Sequence, residues 1–373
     1  MKTFDEVCDY IEESYRNNSF DLNDFEFYKT RLEKRNNSVG IINWNNNKYF
    51  FKIVKQDEYN DEEKIKNNIM PYFRIVNKYS ERKIDDLTLN LYEYIDAPRK
   101  NAFNYLRNKD IPLKDKENKL ENFFNKKIEF MNKTSILSDM THTRASDRWF
   151  YGRINNRFDK FYGSNVELLL DDIKNIYEKG YINYKTFFTN IFKYLQEKHK
   201  TIESYCHGDF HDFNFSLEGL FWDIDTFGIN PILNDFTVYY WHFYAREDTF
   251  VYKYSPWLTN YMYDNLTEEQ LYKVRKLKER YILNWFDSIE SLYRKHNIID
   301  GLNDEFIFKL FCRIFLISDI LEYEQEDRLL VYEFFNYYLE NKILPLKELL
   351  FENPVIFPFY KKQKNDSSKE EPN

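Results

Sequence analysis

Tyr205-Cys-His-Gly-Asp-Phe-His-Asp-Phe-Asn-Phe215, followed by Gly219-Leu-Phe-Trp-Asp-Ile-Asp-Thr-Phe-Gly228, decides how this chain is read. It brings Asp209, Asn214 and Asp223 within 15 positions, on what reads as a short loop, a turn and a buried strand. An Asp, an Asn five residues on and a second Asp on a following strand are the parts that phosphoryl transfer needs. One carboxylate orients the attacking hydroxyl, and an amide oxygen with a second carboxylate holds magnesium on the nucleotide phosphates. Asp223 closes the apolar run Leu220-Phe-Trp, where a buried unpaired carboxylate would cost several kcal/mol. Three of the chain's eight glycines, Gly208, Gly219 and Gly228, fall in this segment, where the backbone must turn tightly or approach a ligand.

Outward from this centre, the chain has 373 residues, enough for a large core organised as two lobes of one catalytic unit. Lysine plus arginine number 54 and aspartate plus glutamate 62, a formal net charge of −8. That argues against a nucleic-acid partner, which would call for a basic face. Cys8, Cys206 and Cys312 have neither disulfide nor metal spacing, and Met1-Lys-Thr-Phe-Asp-Glu carries no apolar signal segment. No window approaches ~18 consecutive apolar residues. A reduced, cytoplasmic protein with no membrane partner is the expectation.

Phe4, Val7, Ile11 and Tyr15 predict an amphipathic helix over 3–17. Val39–Trp44 and Lys48–Val54 flank Asn45-Asn46-Asn47 and predict a hairpin, because Asn tolerates left-handed geometry. Ile65, Ile69 and Phe73 predict a helix within 58–78, and Leu87–Tyr94 alternates as a strand that runs into Ile95-Asp96-Ala97-Pro98. After Pro98 the pattern is mainly helical to about 200, and again over 232–249 and 265–350. Lys361–Asn373 is charged and nearly free of apolar residues, which predicts disorder. Lys52 interrupts Phe50-Phe51-Lys52-Ile53-Val54, where an ammonium is costly unless it meets an anion.

The segment 205–240 resembles the aminoglycoside phosphotransferases and the choline/ethanolamine kinases, small-molecule kinases built on the protein-kinase fold. The family pattern is met by His207-Gly208-Asp209, Asn214, Phe221-Trp222-Asp223-Ile224-Asp225 and Gly228, with Asn234-Asp235-Phe236 matching a later Asp that begins a helix. The resemblance implies an α+β, two-lobed fold: a small antiparallel-sheet amino lobe over 1–96, a larger helical lobe over 97–358, and a tail at 359–373. It implies an ATP- or GTP-dependent, magnesium-dependent phosphotransferase acting on a hydroxyl of a small molecule of aminoglycoside, choline or sugar type. Asp209 is then the catalytic carboxylate, and Asn214 and Asp223 are the metal ligands. Asp225 takes the family's usual acidic position, and His207 fixes the loop through a backbone carbonyl. Lys52 meets the α- and β-phosphates, with Glu62 as its helix partner and Glu58 or Glu63 as alternatives. The base lies against Tyr94, Ile95 and Asp96. The three-glycine phosphate loop is absent, since Gly40 is the only glycine before residue 152; Arg35–Gly40, with Ser38 toward phosphate, is the candidate cover.

Two other classes compete. One is a catalytically silent kinase fold that binds a ligand, against which Lys52, Asp209, Asn214 and Asp223 occur together. The other is a metal-dependent hydrolase using His207, Asp209 and His211, since alternating His and Asp suit a transition metal; it leaves Asn214 and Asp223 unexplained. For the acceptor, Tyr239, Tyr240, Trp241, Trp257 and Trp285 are candidates for an aromatic cage, although helical aromatics are usually core. Asp319, Glu322 and Glu326 share a helical face that suits amines or plain solvation.

Overall fold

The computed structural model of the chain describes residues 2–21, 23–30, 38–55, 69, 72–139, 200–224, 227–246, 266–317, 323–352 and 354. By packing, the chain divides into two compact units: Met1–Thr134 with Tyr205–Ile229, and Ser135–Ser204 with Asn230–Asn373. The first holds a small antiparallel sheet; the described part of the second is mostly helical.

In the first unit, helix α1 (Lys2–Asn17) buries Val7, Cys8 and Ile11. It ends as its sequence allows. Asn18 turns left-handed at φ +49°, and the Asn18 and Ser19 amides donate to the Tyr15 and Ser14 carbonyls at 3.2 and 2.9 Å. That is the paired closure by which a helix satisfies its last carbonyls, with Asn standing where glycine is commonest.

Strands β1 (Phe25–Thr30), β2 (Ser38–Trp44), β3 (Asn47–Lys55), β5 (Lys78–Ile84) and β6 (Leu87–Glu93) form one antiparallel sheet in the order β1-β2-β3-β6-β5. The β2–β3 turn is the predicted one: Asn45 and Asn46 sit at φ +50° and +63°, and Trp44 pairs with Asn47. Two successive left-handed residues match the twist of the flanking strands. Phe51, Ile53, Leu89 and Leu91 share a core with α1, which leaves Phe50, Lys52 and Asn90 on the other face. The alternation expected of β6 is not expressed as exposure, because Leu87 through Tyr92 are all buried in this central strand. β5, rich in charge, is an edge strand with alternate residues exposed.

The helix expected over 58–78 is corrected at its end. Residues 56–68 and 70–71 lie outside the described part, but Arg74–Ile75 form a strand, β4, and Lys78 begins β5. β4 pairs in parallel with β9 (Leu220–Phe221), and the Arg74 and Val76 amides donate to the Gly219 and Phe221 carbonyls. A backbone pairing far along the chain thus overrides a local helical period. Short helices α2 (Ala97–Lys100) and α3 (Ala102–Arg107) follow β6, then α4 (Leu113–Thr134), which buries Leu120, Phe123, Phe124 and Phe130.

The mainly helical reading between Pro98 and about 200 is corrected at 136–139. In the second unit β7 (Ile136–Asp139) pairs antiparallel with β8 (Lys200–Cys206) from Ile136↔Glu203 to Asp139↔Lys200. Strand β10 (Gly228–Pro231) leads into α5 (Ile232–Trp241); α6 (Glu268–Lys295), α7 (Leu302–Phe311) and α8 (Gln325–Glu340) follow. Thr267 and Gln270 close α6 with a reciprocal capping box. Between α6, α7 and β8, Thr201 and Tyr293 both donate to the buried Glu305 carboxylate at 2.8 Å. Burial, reinforced by that carboxylate, pushes the Tyr293 phenol well above its ordinary range.

The described aromatic-cage candidates lie in the core, as helical aromatics usually do. Phe236 meets Trp285 edge-on at 5.3 Å, the Tyr240 and Tyr338 hydroxyls lie 2.7 Å apart, and Tyr239, Tyr240, Trp241 and Trp285 are buried. Trp257 lies outside the described residues. So do Asp319, Glu322 and the 359–373 tail, while Glu326 is exposed on α8. No described helix is long and apolar enough to cross a membrane.

Candidate functional site

The site is built within the first unit, on the segment that follows β8. His207 is held at both ring nitrogens: the Asp209 amide donates to Nδ1 at 3.3 Å, and Nε2 lies 2.8 Å from the Trp222 carbonyl. A ring that accepts at Nδ1 carries its proton on Nε2 and donates there. Both nitrogens are therefore engaged by the backbone. The hydrolase reading, which needs His207 as a ligand beside Asp209 and His211, loses that ligand.

Asn214 closes the loop. Its backbone amide donates to the His211 carbonyl at 2.8 Å and its side-chain Nδ2 to the Asp209 carbonyl at 2.9 Å. The chain then reverses in a hairpin. Phe215 pairs with Phe221, Trp222 donates to the Asn214 carbonyl at 3.1 Å, and the Gly219 amide donates to Ser216 at 2.9 Å. Asp223 therefore returns beside Asn214, and the Trp222 indole bonds the Phe213 carbonyl at 2.8 Å to lock the return.

Gly219 makes that turn possible. Its φ is +88°, and a Cβ there would stand 3.2 Å from Phe73 Cδ1. Gly219→Ala is expected to destabilise the protein by roughly 1–2 kcal/mol through the left-handed penalty alone. A denaturant titration reads this as a lower midpoint at unchanged slope; an unchanged midpoint would mean the turn is not fixed by Gly219.

Packing holds the loop from behind. Phe215 stacks on Phe123 of α4 at 4.5 Å and on Phe210 at 4.7 Å. The first amides of α3 face the same loop: Ala102 donates to the Phe215 carbonyl at 2.8 Å and Phe103 to the Asp212 carbonyl at 3.2 Å. These are donors that a helix start leaves without intrahelical partners.

Across this loop stands Lys52. Its ammonium lies 3.4 Å from Asp223 Oδ1, joining positions 171 apart in sequence. The Lys52 side chain is 12% exposed and that of Asp223 53%. The sequence argument placed the Asp223 carboxylate in apolar surroundings. Instead it is open and paired, because Phe221 turns into the core while Asp223, at φ +53°, leaves the strand line. A non-glycine residue in the left-handed region carries a modest backbone cost that clusters at functional sites. The Asp209 side chain is 26% exposed, and Asn214 is buried.

At the end of β6, Arg74 and Asn77 both donate to the Glu93 carboxylate. Burial works to raise that carboxyl, but these bonds outweigh it and hold it below its usual range. Arg74 thus links β6 to the β4–β9 pair, two residues beyond which Asp223 lies. Nothing in the sequence marks Arg74 and Glu93 as partners. Tyr94, Ile95 and Asp96 follow half-buried, with the Ala97 amide on the Ile95 carbonyl at 2.7 Å and Arg99 on Asp96 at 3.3 Å. Ser38 is buried at the start of β2, paired with Ile53 and Thr30, rather than lying in an open loop. Arg35, Glu58, Glu62, Glu63 and Asp225 lie outside the described residues.

No family model matches the sequence, and no curated protein does. Solved structures do. The chain is similar to a thermostable mutant of aminoglycoside phosphotransferase APH(4)-Ia in its apo form, at 9% identity and a TM-score of 0.36, covering 79% of this chain and 95% of that one. It is similar to spectinomycin phosphotransferase APH(9)-Ia in complex with ADP and spectinomycin, at 12% identity and 0.35, covering 86% and 93%. It is also similar to a Plasmodium vivax ethanolamine kinase, at 13% identity and 0.35, covering 95% and 90%. These likenesses are distant in both sequence and superposition.

Proposed function

We propose that the chain is a magnesium-dependent phosphotransferase that moves the γ-phosphate of ATP, or of GTP, to a hydroxyl of a small molecule of aminoglycoside, choline or sugar type. The observation that carries this reading is the Lys52–Asp223 pair at 3.4 Å beside a loop that presents Asp209 and Asn214. Nucleotide contacts fall to residues 1–96 and the catalytic and acceptor groups to residues 97–358.

The donor set fits magnesium. An open carboxylate on Asp223 and an amide oxygen on Asn214 are hard oxygen ligands, and magnesium takes few protein ligands because it keeps phosphate oxygens and waters. When bound there, it supplies charge neutralisation to the phosphates. Lys52 binds the nucleotide phosphates, exchanging its carboxylate partner for phosphate oxygens. Asp209 accepts a hydrogen bond from the acceptor hydroxyl and takes its proton as the phosphoryl group transfers. Tyr94–Asp96 orient the base.

Binding of MgATP should stabilise the protein by mass action, by roughly 2.7 kcal/mol at a hundredfold excess over the dissociation constant. Lys52→Ala is expected to shrink the rise in melting temperature that MgATP produces. Glu326→Ala, exposed on α8, should leave it intact. A shift indifferent to both Lys52 and Asp223 would put the nucleotide elsewhere and overturn the reading.

A further inference from the structure

We infer that Asn90 is a positioning residue for Lys52: its carboxamide oxygen is a second seat for the ammonium, taken up when nucleotide and metal ion bind. This rests on the phosphotransferase reading. Asn90 lies in the central strand β6, opposite Lys52 of β3 on one side and Glu81 of β5 on the other. Residues directly opposite each other in antiparallel strands share a face, with Cβ atoms about 4.5–5.5 Å apart. The row across the sheet is therefore Val39, Lys52, Asn90 and Glu81.

Asn90 is 8% exposed, and its Oδ1 is buried with no hydrogen-bond partner among the described residues. A buried amide oxygen without a donor has lost its hydration and gained nothing in return, so its presence in a central strand calls for a reason. The row offers one donor. Val39 has no polar side chain, and the Glu81 carboxylate only accepts, from Lys78 Nζ at 2.5 Å. Lys52 carries three N–H bonds and no acceptor; an asparagine presents either end of its amide by rotation, and an ammonium selects the oxygen. Lys52 reaches toward Asp223 at 3.4 Å. Bonds between opposite charges close to about 2.7–2.9 Å, so this one is loose, and the 53% exposure of Asp223 weakens it further. Lys52 cannot keep that partner once the same carboxylate holds a divalent cation, because the ammonium and the metal ion repel. Drawn to the phosphates, the ammonium turns over its own sheet, and Asn90 Oδ1 accepts one N–H while the other two serve phosphate oxygens. A compact charge on a flexible four-carbon stem gains a fixed direction from an acceptor beside its root.

The test separates this seat from a structural role by the sign of two effects. Leucine keeps the branched shape of asparagine without its polar atoms. Asn90→Leu should not lower the melting temperature of the protein alone, since it removes a buried acceptor that lacks a donor. It should nevertheless weaken binding of magnesium AMP-PNP about tenfold, the scale of one hydrogen bond to a charged group. In a Lys52→Ala background the same change should weaken binding no further. Side-chain amide NMR reads the seat without turnover and with Asn90 in place. The Asn90 NH2 signals, assigned through their bonds to the backbone, should shift when magnesium AMP-PNP saturates the wild type and shift far less in saturated Lys52→Ala. Wild-type affinity in Asn90→Leu, an equal further loss in the Lys52→Ala background, or a carboxamide signal indifferent to Lys52 would overturn the proposal and leave the nucleotide site standing. A lower melting temperature of Asn90→Leu without nucleotide would mark the residue as structural and overturn it too. A wild type that binds no magnesium AMP-PNP would instead overturn the phosphotransferase reading, and the seat with it.

Discussion

Asp209→Ala is expected to abolish phosphoryl transfer while leaving MgATP binding within a few fold of wild type. Removing a positioned acid or base costs on the order of 10²–10⁴ in rate. The fold should survive, because Asp209 holds its loop through the backbone. Its amide donates to His207 Nδ1 and its carbonyl accepts from Asn214 Nδ2 at 2.9 Å, and neither bond uses the carboxylate. Steady-state turnover and a nucleotide titration on the same preparation separate the two quantities. A folded variant that had lost nucleotide binding would show that Asp209 faces the phosphates rather than the acceptor.

The second large effect concerns the metal. Asp223→Asn should cut turnover sharply and raise the magnesium concentration needed for half-maximal rate, since a charged oxygen ligand becomes neutral. Asparagine is the right replacement because it tolerates the left-handed backbone at φ +53° nearly as well as aspartate. Backbone strain is then held constant while the charge changes. The substitution also removes the anion that Lys52 meets at 3.4 Å, so the unliganded protein should lose some stability as well. A magnesium titration of the rate decides the matter: wild-type activity at low magnesium would exclude Asp223 as a ligand.

Much of the fold was legible where local rules govern. The apolar stripe Phe4, Val7, Ile11 and Tyr15 anticipated α1, and Asn45-Asn46 anticipated the β2–β3 turn. Both depend on residues within a few positions of one another. The readings that failed depend on distant partners. β4 lies inside a helical pattern because Arg74 and Ile75 pair with Leu220 and Phe221. β5 is a charged edge strand with little apolar signal, and β7 is a strand only by pairing with β8, about 60 positions further along the chain. Trp241 and Trp285 offered the same residue types whether they form a cage or a core, and only burial distinguishes the two.

For the site, the sequence by itself determined the chemical inventory: the spacing of Asp209, Asn214 and Asp223, the lysine within an apolar strand, and the glycines that permit the turns. Tertiary structure alone decided that Lys52 meets Asp223 across 171 positions, and that the Asp223 carboxylate is open rather than buried. It alone decided that His207 spends both nitrogens on the backbone, and that Arg74 and Glu93 tie β6 to the β4–β9 pair just before Asp223. The division has a physical cause. Spacing along a chain limits which groups its backbone can bring together locally, whereas pairing across a long loop must offset the entropy of closing it. That offset comes from the packed aromatic layer of Phe123, Phe210 and Phe215 and from the hydrogen-bonded strands around it, whose arrangement no single segment contains.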